Sequence, residues 1–131
     1  MKETLRDLCS YRLTQARDTL READVLLREG MSLRSVMNRL YYSMFYTVLA
    51  LLQTRQLGTS KHSGAIALFD REFVKPGIFP KELSKALHRA FELRQKGDYM
   101  EDAEITVSDI EEIRPLAEEF VQKSAEVIET E

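Results

Sequence analysis

Between residues 33 and 52, Leu33, Val36, Met37, Leu40, Tyr41, Met44, Phe45, Val48, Leu49 and Leu52 recur at three- and four-residue spacing. They cover a face too broad for a helix that lies on a surface with one side in water. A helix this apolar must be packed against on several sides, which makes it the central element of a bundle. The stretch runs from about Leu33 to Gln56, and its middle reads NRLYYSMFY. Leu40, Tyr41, Met44 and Phe45 of that segment belong to the core face. Arg39, Tyr42, Ser43 and Tyr46 fall at i, i+3, i+4 and i+7, so they form a second stripe flanked by Asn38. Arg offers a planar fork of donors and Tyr a ring and a hydroxyl, so the stripe can hold a phosphate or stack a base. It serves equally well as a subunit interface, with the tyrosines packed at the bundle edge and Arg39 paired to a carboxylate.

The remaining segments supply the helices around this centre. Residues 3–29 carry Cys9, Leu13, Ala16, Leu20, Ala23 and Leu27 in alternating steps of four and three, the seam of helices packed side by side. Asp24 and Arg28 are one turn apart on its outer face. Gly30 stops this helix and Ser32 caps the next. A third helix is expected near 61–74, capped by Thr59 or Ser60. The run KPGIFP then breaks the chain, because two prolines and a glycine forbid continuous helix. Pro80 starts a fourth helix that Gly97 ends after Lys96. DYMEDAEITV is a polar connection, and Ser108 with Glu111 has the spacing of a capping box for a fifth helix ending near Ile128. Pro115 should kink that last helix. No useful strand pattern appears. The fold class is all-α, a five-helix up-and-down bundle forming a single domain over 1–131, with an acidic C-terminal helix from about 108.

Charge is distributed unevenly. Residues 1–96 hold 17 Lys and Arg against 10 Asp and Glu, whereas 97–131 hold 2 against 12. A basic body with an acidic end can attract a polyanion and screen it; the same pattern also arises from a glutamate-solvated helix. The single Cys9 makes no internal disulfide, and with two His the chain lacks the ligands of a usual structural zinc site. The N-terminus, MKETLRDLCS, has no apolar core of a signal peptide. No apolar run approaches the about eighteen residues of a membrane span. A cytoplasmic protein without metal or cofactor is expected.

Helix four places Leu83, Leu87, Ala90 and Phe91 inward, and Arg94 continues that face. Such an Arg needs a partner, since an unpaired buried charge is costly. Lys81, Lys85 and Arg89 form a basic ridge on the outside. Neither His62 nor His88 has a second ligand at metal spacing, and no nucleotide loop, HExxH or paired-carboxylate motif is present.

Three ordered runs, SVMNRLYYSMFYTVLALL, KHSGAIALFDREFVKPG and FPKELSKALHRAFELRQKGDY, resemble small prokaryotic HEPN-domain proteins, over about residues 30–100. The resemblance is to the subfamily reading S-R-x-Y-Y-x-x-F, H-S-G and L-R-x-x-x-D-Y. It implies a helical bundle that forms homodimers, encoded beside a minimal nucleotidyltransferase in toxin–antitoxin or defence systems, and in many members a metal-independent endoribonuclease. The activity in that family rests on Arg, four to six residues, then His. Matched by position, the Arg is Arg94, but the residue at the His position is Tyr99. Without an imidazole there, nothing with a pKa near neutrality takes the 2′-hydroxyl proton, and a phenol near pKa 10 is a poor base. Arg55 and His62 also match the spacing. With 12 Arg in 131 residues, one such match arises by accident about half the time.

The expectation is thus a dimeric partner of a nucleotidyltransferase that binds RNA or a nucleotide at Asn38, Arg39, Tyr42, Ser43, Tyr46 and Arg94. The alternatives are an active endoribonuclease using Arg94 with Tyr99 or His62, and a purely structural helical protein.

Overall fold

A computed structural model describes residues 1–97 in full, the helical backbone of 98 and 99, and residues 104–131. Five α-helices follow in order: α1 (Glu3–Arg28), α2 (Leu33–Thr54), α3 (His62–Phe69), α4 (Lys81–Tyr99) and α5 (Val107–Thr130). A single π-helical turn, Asp70–Val74, extends α3. Among the described residues there is no strand, and the class expected from the sequence stands.

Directions follow from a few contacts. The Cys9 thiol lies 3.6 Å from the Ala50 carbonyl, so the start of α1 meets the end of α2. Arg114 near the start of α5 donates to both oxygens of Asp24 near the end of α1, each at 2.8 Å. Arg55 after α2 reaches Glu131 after α5, and Gly97 at the end of α4 lies against Arg34 at the start of α2. Helices α2 and α5 therefore run parallel, with α1 and α4 antiparallel to both. The helix α2 packs on α1, α3, α4 and α5. Its residues Met37, Leu40, Tyr41, Met44, Val48 and Leu51 have no exposed surface. That is the central position its broad apolar face demanded.

Several local expectations change. Leu27 is exposed, and the seam of α1 ends at Ala23. Asp24 does not simply face outward with Arg28, because it is clamped by Arg114. At the head of α3, Lys61 holds the cap position without a side-chain cap, and neither Thr59 nor Ser60 takes that role. Gly97 does not end α4, which runs on to Tyr99. A Cβ at 97 would sit 3.2 Å from both Arg34 Cγ and Ile105 Cδ1, so glycine here permits a close approach rather than a stop. The capping box of α5 is Thr106 with Asp109, two residues before the expected Ser108–Glu111 pair. Both pairs have suitable spacing; the earlier start also brings Asp109 to 3.6 Å from Arg89 of α4. Pro115 and Glu111 are both exposed, so the carbonyl that Pro115 leaves without a backbone donor belongs to a hydrated face.

Turn chemistry positions the site. Gly30 has φ +72°, a left-handed conformation suited to glycine, and Ser32 Oγ accepts from the Ser35 backbone N–H. This tight connection fixes α2 against α1. Farther on, the chain leaves α2 through Gln56 and returns at His62.

Candidate functional site

The helix α2 presents Tyr41, Tyr42 and Phe45 toward the N-terminal end of α3 and the C-terminal half of α4. Tyr41 is fully buried, and a phenol in that position needs a hydrogen-bond partner. It finds His62: the Tyr41 hydroxyl and His62 Nδ1 are 2.8 Å apart. The imidazole stacks on Phe45 with centroids 4.1 Å apart and planes 15° from parallel. Its third wall is Tyr42, which meets it edge-on at 5.8 Å and 87°. One residue of α3 is thus held by three of α2. This anchoring sets the register at which the loop LGTSKHSG ends, and α3 begins at His62 itself.

On the other side of the tyrosines, Phe91 of α4 packs 5.7 Å from the Tyr41 ring. One turn later, the Arg94 guanidinium lies 5.4 Å from the Tyr41 centroid and 5.1 Å from that of Tyr42. Both distances fall within cation–π range. Arg39 approaches Tyr42 as well, at 5.4 Å. It is steadied by Asn38 Oδ1, which accepts from Arg39 Nη2 at 2.8 Å and from Nε at 3.1 Å. Glu22 of α1 lies 3.7 Å from Arg39. The two arginines flank one aromatic ring and give the cluster a positive rim.

Electrostatics follow from that arrangement. Burial, reinforced by the Arg94 cation, holds the His62 imidazole below its ordinary value of 6.5, so it is neutral at pH 7. Burial pushes the Tyr41 phenol well above its usual range, with Arg94 opposing, so Tyr41 stays protonated. The hydroxyl has both a proton to give and lone pairs to accept, so it can partner either protonation state of His62.

Of the residues singled out from the sequence, Asn38, Arg39, Tyr42 and Arg94 come together here. Tyr46 lies 5.6 Å from the Tyr42 ring and continues the surface toward a groove against α1, where Tyr11, Thr14 and Gln15 also line the wall. Ser43 does not share that surface. It is fully buried, and its hydroxyl donates to the Leu40 carbonyl of its own helix at 2.7 Å. The Tyr99 side chain lies outside the described residues, as does most of the connection after it.

Arg55 and His62 do not act as a pair. Arg55 Nη1 donates to the Glu72 carbonyl at 2.9 Å, and the guanidinium lies 4.2 Å over Phe73. The loop between them carries His62 back along α2 to Tyr41, whereas Arg55 turns toward the π-helical turn. His88 is also elsewhere: Asp70 accepts from its Nε2 at 2.6 Å and from Ser84 Oγ at 2.7 Å. No group of three metal-binding side chains occurs among the described residues.

Sequence reasoning assigned Tyr41 to the core and gave His62 to the Arg55 spacing or, as an alternative to Tyr99, to a site with Arg94. The pairing of the two was missed. Its one sequence signal is the hydroxyl itself: a Tyr on the most buried face of α2 requires a partner, and few polar side chains are available to supply it.

Fold and cluster together define the class, an all-α up-and-down bundle in which tyrosines of the central helix meet an imidazole of α3 and an arginine of α4. The family model described as "HEPN domain" matches residues 9–128. The chain belongs to the HEPN family. It is 42% identical over 122 residues to a "UPF0332 protein" of Thermotoga maritima, covering 93% of this chain and 92% of that one. It is similar to two proteins of Methanocaldococcus jannaschii. With "Putative toxin MJ0142" it shares 37% identity over 66% of this chain and 59% of that one. With "Putative toxin MJ0605" the identity is 33%, over 82% and 79%. Among the described residues no helix is long and apolar enough to cross a membrane.

Proposed function

We propose that this protein is the toxin-type HEPN component of a two-component system, acting as a homodimer beside a minimal nucleotidyltransferase in the cytoplasm. Its working surface is an RNA-binding cleft walled by Asn38, Arg39, Tyr42, Tyr46 and Arg94. The observation that carries this reading is the flanking of one aromatic ring, Tyr42, by two guanidinium groups from different helices. Aromatic faces stack unpaired bases and guanidinium groups hold the adjoining phosphates, the combination by which single-stranded nucleic acid is bound. The toxin names of two relatives support the setting.

Fluorescence anisotropy with a labelled single-stranded RNA, in EDTA and at several salt concentrations, tests the cleft. Arg39→Ala and Arg94→Ala should each weaken binding and lower the slope of log K against log salt by about 0.7. Absence of wild-type binding at low salt would sink the reading. Light scattering should give twice the 15.2 kDa of one chain. A nucleotidyltransferase in the neighbouring reading frame, co-purifying with this protein, is the expected partner.

A second reading, a metal-independent endoribonuclease, is favoured by one observation. A neutral imidazole shares the Tyr41–Tyr42 pair with Arg94, although none occupies residue 99.

A further inference from the structure

We infer that the groove between α1 and α2 is a guanine-reading subsite of the RNA cleft, in which the base lies against Tyr46 and its Watson–Crick edge meets Asp18 and Gln15. The inference rests on the RNA-binding reading of that cleft and names the base it selects.

Two helix faces make the groove. Tyr11, Gln15, Asp18 and Glu22 fall at i, i+4, i+7 and i+11 on α1, one stripe outside the seam that ends at Ala23. Across from them, Arg39 and Tyr46 are two turns apart on α2. Together these side chains line a groove of about 270 Å³. It opens directly from the cleft: the Tyr46 and Tyr42 ring centroids are 5.6 Å apart, and Arg39 borders both spaces. A strand with one base on Tyr42 can therefore place the next on Tyr46.

Charge decides which part of a nucleotide enters. Asp18 and Glu22 are the anions of the groove wall, and Arg39 is its one cation among the described residues. Arg39 stands beside Tyr42, so it holds a phosphate at the mouth, while the carboxylates repel phosphate from the interior. A neutral base is admitted, and the tyrosine ring gives it a face to stack on.

The polar groups then choose among bases. A carboxylate only accepts, so it favours an edge with two adjacent donors. Guanine presents N1–H and its 2-amino group side by side, with the O6 acceptor next to them. Adenine and cytosine turn a ring-nitrogen lone pair toward the same carboxylate, and uracil offers one N–H between two carbonyls. Gln15 supplies the remaining group: its Oε1 accepts from Arg12 Nη1 at 3.0 Å, which leaves the amide N–H₂ to donate to O6. Three residues apart, Asp18 and Gln15 are neighbours on the helix surface, with Cβ atoms about 5–6 Å apart, a spacing that suits one edge of one base. Among the described residues Asp18 is held only by Arg21, and an exposed pair of this kind is readily exchanged for a ligand.

The test is fluorescence anisotropy with the full chain and a labelled U-only RNA, compared with the same strand carrying one internal G, inosine, A or C. Wild type should bind the G strand about 10-fold more tightly than the A, C or U-only strands. Inosine keeps N1–H and O6 but lacks the 2-amino group, so it should fall between. Asp18→Asn should bring the ratio of G to U-only affinity close to one. Its affinity for the U-only strand should be kept or raised, because an anion has left the groove. Asp18 is exposed, so this variant should fold as wild type does, which circular dichroism checks.

Equal binding of all strands by wild type, or preference for another base, overturns the subsite and leaves the RNA-binding reading intact. Absence of binding to any strand overturns both. Inosine bound as tightly as guanine, or a full guanine preference in Asp18→Asn, overturns the pairing of that carboxylate with the two donors.

Discussion

Two aromatic clusters lie against α2, one at its end and one at its middle, each with an arginine over a ring, and they differ in what they contain. Near the end of α2, Phe69, Phe73, Phe79 and Phe120 form a closed group with centroid spacings of 5.0 to 6.3 Å. None of these rings has a polar atom, and all are buried. Arg55 seals the group, its charge directed to the Glu72 carbonyl and to Glu131. In the middle of α2, the rings are Tyr41, Tyr42, Phe45 and His62, and the arginine is Arg94. Here the interior carries hydroxyls and an imidazole, and one edge is open. The first cluster closes a bundle. The second keeps proton-bearing groups in fixed positions at its margin, which a core built for stability alone would omit, since phenylalanine needs no partner.

That contrast can be broken by substitution. Phe69→Ala should be the most damaging change, costing about 3–5 kcal/mol in denaturant unfolding because the surrounding rings cannot collapse into the space. A loss under 1 kcal/mol there would show that the two clusters do not differ in their hold on the fold.

Next come the two polar anchors. Arg55→Ala removes a ring contact and a donor to a carbonyl, and Tyr41→Phe removes one hydrogen bond; each should cost about 1 kcal/mol. Their effects on RNA should separate, however, with Arg55→Ala leaving binding and any cleavage untouched. If Arg55→Ala impairs RNA binding, the division of labour is wrong.

The pH response should also distinguish them. His62 has its folded pKa below the unfolded value of 6.5, so the unfolded chain takes up the proton first as pH falls. Stability contributed by the neutral imidazole is present above that value and is lost as pH falls through the window beneath it. Urea midpoints measured from pH 7.5 downward should decline in wild type, with a shallower decline in His62→Gln. An unchanged slope would mean that His62 is not held neutral by its surroundings. A carboxylate, Asp24, is held below its usual range by its hydrogen bonds from Arg114. Its contribution is present above the unfolded carboxylate value and is lost at still lower pH, so the two windows are separable.

The smallest expected effect is at Tyr42→Phe. The Tyr42 hydroxyl makes no hydrogen bond among the described residues, so stability should change by about 0.5 kcal/mol or less. RNA stacking should persist on the phenyl ring, whereas Tyr42→Ala should weaken binding by about 1–3 kcal/mol.

The architecture was legible because it is written in periodicity. The face from Leu33 to Leu52 required a central helix, and Gly30 with Ser32 required a stop and a start, all of which depend on residues near one another in the chain. Boundaries were less secure where two local solutions compete. Thr106–Asp109 and Ser108–Glu111 both have the spacing of a capping box, and the salt bridge to Arg89 on another helix belongs to the one adopted. Gly97 reads as a stop in isolation, yet it is the missing Cβ that lets α4 pass Arg34.

The candidate site divides along the same line. The sequence by itself determined that Asn38, Arg39, Tyr42 and Tyr46 share one side of α2, and that Arg94 extends the inner face of α4, because helical spacing fixes direction around an axis. It also determined that Tyr41 is buried. Only the tertiary structure decided which partner answers the Tyr41 hydroxyl, that His62 rather than Arg55 lies at the tyrosines, and that Ser43 is sealed inside. Those are meetings between α2, α3 and α4, across a loop whose path no periodicity encodes. A spacing rule read along the chain joined His62 to Arg55; packing joined it to Tyr41, since a buried phenol and an imidazole each lose more by remaining unpaired than the loop loses by turning back to bring them together.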